Sequence, residues 1–118
     1  MKEVNVGLSS SVLPKDFTGM ANYSSGIKIW YQNGLAHREN GPAYMRSADG
    51  LNRWYQNGKK HRTDGPAVEW PWGKDEYWIL GKNLTKQEFG LFRFLWENST
   101  HEKNEDLMKT FVRLVKTK

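Results

Sequence analysis

Cysteine is absent from this chain of 118 residues, which excludes a disulfide framework and any thiolate metal site and leaves apolar burial to hold the fold. Long apolar runs are missing as well: no segment approaches the ~18 apolar residues of a membrane span, and the start, Met1 to Gly7, lacks the apolar stretch of a signal peptide. A cytoplasmic protein with no membrane association is the expectation. There is also no basic block. The formal charge is +5, but Lys and Arg alternate with acids along the chain rather than forming the stripe a nucleic-acid binder concentrates on one face. Gly-x-Ser-x-Gly and phosphate-cradling loops are lacking, so catalysis has little support.

What the chain does have is aromatic side chains and glycine: six Trp, five Tyr, five Phe and eleven Gly. Together they point to tightly turned strands. They are also periodic. Gly26-Ile-Lys-Ile-Trp-Tyr-Gln-Asn-Gly34 returns as Gly50-Leu-Asn-Arg-Trp-Tyr-Gln-Asn-Gly58, and His37-Arg-Glu-Asn-Gly-Pro-Ala43 returns as His61-Arg-Thr-Asp-Gly-Pro-Ala67. Both echoes are offset by 24 residues. A decayed third copy, Gly73 to Gly81, follows at an offset of 23, with Leu84-Thr85 where His-Arg stood. The chain divides accordingly into repeats 26–49 and 50–72, a degenerate repeat 73–84, and a helical segment 85–118, in one domain. Residues 1–25 read either as an irregular arm or as an eroded first copy.

Within each repeat a β-branched and aromatic run ends in Asn-Gly, the pair suited to a type I′ hairpin tip, so Asn33-Gly34 and Asn57-Gly58 are expected tips. Asn40-Gly41 and Asp64-Gly65 are expected to reverse the chain, and strands at 42–46 and 66–70 to lead back through Asp49-Gly50 and Trp72-Gly73. Thr85-Lys-Gln-Glu88 is a capping box opening a helix with Phe89, Phe92, Leu95 and Trp96 on one side. A second box at Ser99 to Glu102 opens another helix whose expected inner face is Leu107, Phe111, Leu114 and Val115. The fold class is α+β: an antiparallel β-hairpin repeat meander followed by a C-terminal two-helix hairpin.

The Trp-Tyr-x-Asn-Gly core on this period resembles MORN-type repeats, and the longer string through His-Arg-x-Asx-Gly-Pro-Ala is similar to small uncharacterised proteins of tailed bacteriophages. The resemblance covers residues 26 to 89 and implies stacked hairpins with interaction roles. Because His-Arg-x-Asx-Gly-Pro replaces the Gly-rich second half of a MORN unit, a lipid-binding role does not carry over.

Strand alternation places Ile27, Ile29, Tyr31, Leu51, Tyr55 and Trp78 on one face, assigned to the core beneath the helices, and Trp30, Trp54 and Tyr77 on the other. That second row is either an exposed stacking platform or is packed on Pro42, Pro66 and the stems of Arg38 and Arg62. His37-Arg38 and His61-Arg62 are the candidates for polar contacts, able either to grip an anionic group or to bond turn backbone and nearby carboxylates. Two histidines 24 residues apart make no zinc site, and no metal or other cofactor is expected. The leading function is a non-enzymatic protein-binding module, with the phage resemblance implying a factor that binds or inhibits a host protein. The alternatives are a nucleotide or nucleic-acid binder and a self-assembling homo-oligomeric structural protein.

Overall fold

Three hairpins of one design form the spine of the molecule. In the first, β3 (Ile27–Gln32) pairs with β4 (Leu35–Ala36) in the register Tyr31 to Ala36 and Gln32 to Leu35. In the second, β7 (Tyr55–Gln56) meets β8 (Lys59–Lys60), and in the third β10 (Tyr77–Ile79) meets β11 (Lys82–Leu84). Asn33 and Gly34 have φ of 51° and 81°, Asn57 and Gly58 49° and 80°, so both tips are left-handed at each turn residue, as a type I′ turn requires. The third tip keeps the shape with Leu80 at 49° and Gly81 at 80°. A leucine there bears a steric cost of about 1–2 kcal/mol, which its neighbours must offset.

The computed structural model describes residues 3–6, 13–99 and 104–115. Within them, β5 (Tyr44–Arg46) runs antiparallel to β3 and to β6 (Leu51–Arg53), and β6 in turn to β9 (Val68–Glu69). The turn between β5 and β6 is tied by Arg46, which donates to both oxygens of Asp49 at 3.0 and 2.7 Å, while Asp49 accepts the Leu51 N–H at 3.2 Å. On the other side of β3 lies β2 (Gly19–Tyr23), antiparallel, and beyond it β1 (Glu3–Val6), which pairs with β2 in parallel. That edge is parallel, whereas the other strand pairs among the described residues are antiparallel.

An isolated two-residue hairpin leaves the N–H groups of both turn residues to water. Here the preceding unit takes both. The Asn57 N–H donates to His37 Nδ1 at 3.0 Å and the Gly58 N–H to the Ala36 carbonyl at 2.8 Å. One unit later the Leu80 N–H donates to His61 Nδ1 at 2.9 Å and the Gly81 N–H to the Lys60 carbonyl at 2.9 Å. The same pair of bonds recurs at the start: the Asn33 N–H donates to Thr18 Oγ1 and the Gly34 N–H to the Phe17 carbonyl, both at 2.9 Å. Residues 17–19 therefore stand in for the second half of a repeat, with Thr18 in the place of His37.

The helical cap follows the third hairpin. Thr85 Oγ1 accepts the Glu88 N–H at 3.0 Å and the Thr85 N–H donates to Glu88 Oε1 at 2.8 Å, the reciprocal capping box at the head of α1 (Lys86–Glu97). Asn98 closes α1, with its backbone N–H on the Phe94 carbonyl. Phe89 and Phe92 of α1, Phe111 of α2 (Asn104–Leu114), and Ile79 and Leu84 of the third hairpin form the larger core. The second capping box falls largely on 100–102, outside the described residues. The inner face of α2 is Met108, Phe111, Val112 and Val115, not the expected set, since Leu114 is 73% exposed. A residue three positions beyond Phe111 is on its side only when the pitch carries it there, and Met108 and Val112 lie closer to the seam.

The expectation that the cap covers the Ile27–Tyr31 face is corrected. Tyr77, Ile79 and Leu84 share a side of the third hairpin, and it is this side, the continuation of the Trp30 and Trp54 row, that α1 packs on. The Tyr31 face has a small core of its own at the far end, built from Val6, Phe17 and Ala21 with Leu13, Tyr23 and Tyr31 against them.

The close approach of units makes a prediction. A Cβ on Gly34 would lie 1.8 Å from the Lys15 carbonyl oxygen, whereas one on Gly50, at nearly the same φ of 79°, meets nothing within 4 Å. Gly50→Ala should cost about 1 kcal/mol from backbone strain, and Gly34→Ala at least about 2 kcal/mol more. Urea unfolding midpoints of the two variants check the difference.

Candidate functional site

The His-Arg pairs are placed by the strands that follow each tip. The His37 N–H donates to the Trp30 carbonyl and the His61 N–H to the Trp54 carbonyl, while the Arg38 and Arg62 N–H groups reach across to the next unit, to Tyr55 and Trp78 carbonyls. Each histidine thus sits in the seam between units with Nδ1 as an acceptor. That fixes its proton on Nε2, and a proton on Nδ1 would set two donors against each other. His61 is buried, and burial holds its pKa below the usual 6.5. His37 Nε2 meets Glu39 at 3.0 Å.

Each arginine turns back over its own tryptophan. The Arg38 guanidinium lies 3.9 Å from the Trp30 ring centroid and that of Arg62 lies 3.8 Å from Trp54, with Nη1 of each donating to the carbonyl of Pro42 or Pro66 at 3.1 Å. Gly41 and Gly65 lie beneath these guanidinium groups. Neither has a positive φ, but a Cβ on either would stand 3.0 or 2.9 Å from the guanidinium carbon above it. The turn glycines make room for the stacked arginine. Of the two readings of the tryptophan row, the packed one holds for the ring face under the arginine.

The row is interrupted at the third unit. Tyr77 takes the position of Trp54, but its ring is stacked on Phe89 at 4.6 Å, so it packs against the larger core and borders neither of the two grooves described below. The cause is apolar substitution along the same face: Ile79 replaces Gln56 and Leu84 replaces His61, and a greasy floor draws the helix down onto it.

Between successive units runs a groove. The first, about 420 Å³, is lined by Thr18, Gly19, Trp30, Gln32, His37 and Arg38 among others. The second, about 380 Å³, is its equivalent one unit on, lined by Arg38, Trp54, Gln56, His61, Arg62 and Asp64. The third is filled: Phe89 covers Tyr77, and Arg93 of α1 donates to the Thr63 carbonyl on the groove wall at 2.9 Å. Six of the seven residues singled out from the sequence, Trp30, Trp54, His37, Arg38, His61 and Arg62, border the two open grooves. Sequence reasoning missed Thr18, Gly19, Gln32 and Gln56. The glutamines were readable, as polar neighbours of each tryptophan on the same face; Thr18 and Gly19 carried no repeat signature.

Comparison with known proteins returned no matching family model, no similar curated protein and no similar solved structure. Among the described residues no group of three or more His, Cys, Asp or Glu is gathered closely enough to hold a metal ion, and no helix is long and apolar enough to cross a membrane. What the site offers is a guanidinium on an indole, repeated, beside a groove.

His61 sets a pH dependence. Its folded pKa lies below its unfolded value, so the unfolded state binds the proton more readily, and the stability from the neutral seam is complete above about pH 6.5 and falls as the pH drops below it. Urea unfolding between pH 7.5 and 5 should show this decline, and His61→Gln, which keeps an acceptor and does not titrate, should flatten it.

Proposed function

We propose that the chain is a non-enzymatic protein-binding module that seats a segment of its partner in the groove beside Trp30 and Arg38. The observation that carries this is the pair of equivalent open grooves, set beside a third unit whose aromatic is covered by the chain's own helix. A groove of about 420 Å³ is large enough for one or two side chains of a partner. The helix in the third groove is an internal example of a protein segment accepted by this geometry, with an aromatic ring over the unit's aromatic and a side-chain donor on the wall. The resemblance to bacteriophage proteins makes a host protein in the bacterial cytoplasm the partner, bound or inhibited by a phage-encoded factor.

A second reading, capture of a nucleotide or nucleic acid, draws on the two guanidinium-indole stacks and the formal charge of +5. Lys and Arg alternate with acids along the sequence and form no basic block, which is why it stands second.

The test is capture of partners from nuclease-treated bacterial lysate by the tagged chain and by Gln32→Trp, a bulky change at an exposed groove position that makes none of the contacts between units. The expected result is a protein recovered in equimolar amount by the native chain and lost by Gln32→Trp. Recovery of nucleic acid or a small phosphorylated molecule alone, or a protein held equally by both chains, would contradict the reading.

A further inference from the structure

We infer that the first groove recognises a carboxylate borne on an apolar or aromatic segment of the partner. The inference rests on the protein-binding reading and supplies its chemistry. It comes from comparing the two repeats position by position.

In the second repeat the arginine and tryptophan are satisfied internally. Arg62 Nε donates to Asp64 Oδ1 at 2.8 Å, Arg62 Nη1 lies 3.4 Å from Glu69 Oε2, and the Trp54 indole N–H donates to the other oxygen of Glu69 at 3.1 Å. Two carboxylates thus serve one guanidinium and one indole. At the corresponding positions of the first repeat, 24 residues earlier, stand Asn40 and Met45. Arg38 keeps the stack on Trp30, the bond to Pro42 and a 4.0 Å contact with Met45 Sδ, but no carboxylate among the described residues pairs with it. The Trp30 indole N–H makes no hydrogen bond to a described residue either, its counterpart of Glu69 being the methionine. Glu39, the nearest acid in sequence, is turned to His37 Nε2 at 3.0 Å.

The same groove differs on its other wall. Where the second groove has Arg38, the first has Gly19, so the wall presents no second cation and no long side chain. Its lining surface is mostly apolar, with the Trp30 indole in it and one guanidinium in reach that no described carboxylate pairs with. A guanidinium holds a carboxylate through paired N–H donors, as Arg46 does with Asp49. One cation beside the Glu39 carboxylate suits a monoanion and disfavours a phosphate dianion. The apolar body next to that charge is the part Phe89 plays over Tyr77 in the third groove.

The test is an NMR titration of the ¹⁵N-labelled chain with three probes: N-acetyl-Phe-Glu amide, N-acetyl-Phe-Gln amide and phenyl phosphate. The glutamate probe should perturb the Trp30 indole and the Thr18 and Gly19 amides, and bind about tenfold more tightly than the glutamine probe. The double variant Asn40→Asp, Met45→Glu copies the second repeat and neutralises Arg38 in place. It should lose that preference while the Trp54 and Arg62 signals stay unchanged. Equal binding of the two peptides by the native chain, tighter binding of phenyl phosphate, or a preference that survives in a folded double variant would each overturn the inference. Should the variant fail to fold, the native comparison decides alone. A partner protein released by Gln32→Trp but held equally by the folded double variant would overturn the carboxylate assignment and leave the protein-binding reading standing.

Discussion

The structure depends on how each hairpin tip disposes of two backbone N–H groups that its own turn cannot use. A type I′ turn closes the ladder below it and leaves the N–H of both central residues pointing outward. In this chain the unit before supplies the acceptors, a side chain for the first N–H and a backbone carbonyl for the second, at Asn33-Gly34, Asn57-Gly58 and Leu80-Gly81 alike. Each hydrogen bond is worth about 1 kcal/mol net, and leaving such a donor buried without one costs more. The stacking of units is therefore directional, since a unit caps the next tip and needs its own tip capped by the one before. Thr18 meets that need at one end of the series and the helical cap covers the other.

From this seam the rest follows. His37 and His61 are held in one tautomer because a tip amide points at Nδ1, and the residue after each, an arginine, is committed by its backbone to the following unit. Only its side chain is free to turn back, and it does so over the tryptophan of the neighbouring strand, in the space above Gly41 and Gly65. The third unit shows the alternative. With Leu84 and Thr85 in place of His-Arg, the aromatic is covered by a helix and the groove closes. One scaffold thus carries two ways of covering an aromatic. The charged one leaves a groove beside it and the apolar one does not.

Much of this was legible in the residues. The period, the tips, the loss of pattern after Gly81 and the capping box at Thr85 all follow from local chemistry, which is why their positions agree with the coordinates. The placement of the helices was not, because it turns on which side of the third hairpin is greasier, and Tyr77 alone, read as the heir of Trp54, pointed the other way. Ile79 and Leu84 held the answer. The acceptors of the first tip were hidden because the seam needs only a side-chain acceptor and a carbonyl, and Thr18 and Phe17 supply them without resembling the His-Arg pair. Gly41 and Gly65 were read as turn formers when their constraint is the guanidinium above them, a contact that no local rule about turns contains. What Asn40 and Met45 leave unpaired depends on the partners of Asp64 and Glu69, which no repeat alignment contains.

The seam is tested most directly by amide hydrogen exchange at the six tip residues of the native chain, Asn33, Gly34, Asn57, Gly58, Leu80 and Gly81. In a free hairpin these amides exchange at close to the rate of an unstructured peptide. Capping by the preceding unit predicts that all six are protected to the level of the strand amides beside them, and rapid exchange at the tips while the strands stay protected would contradict it.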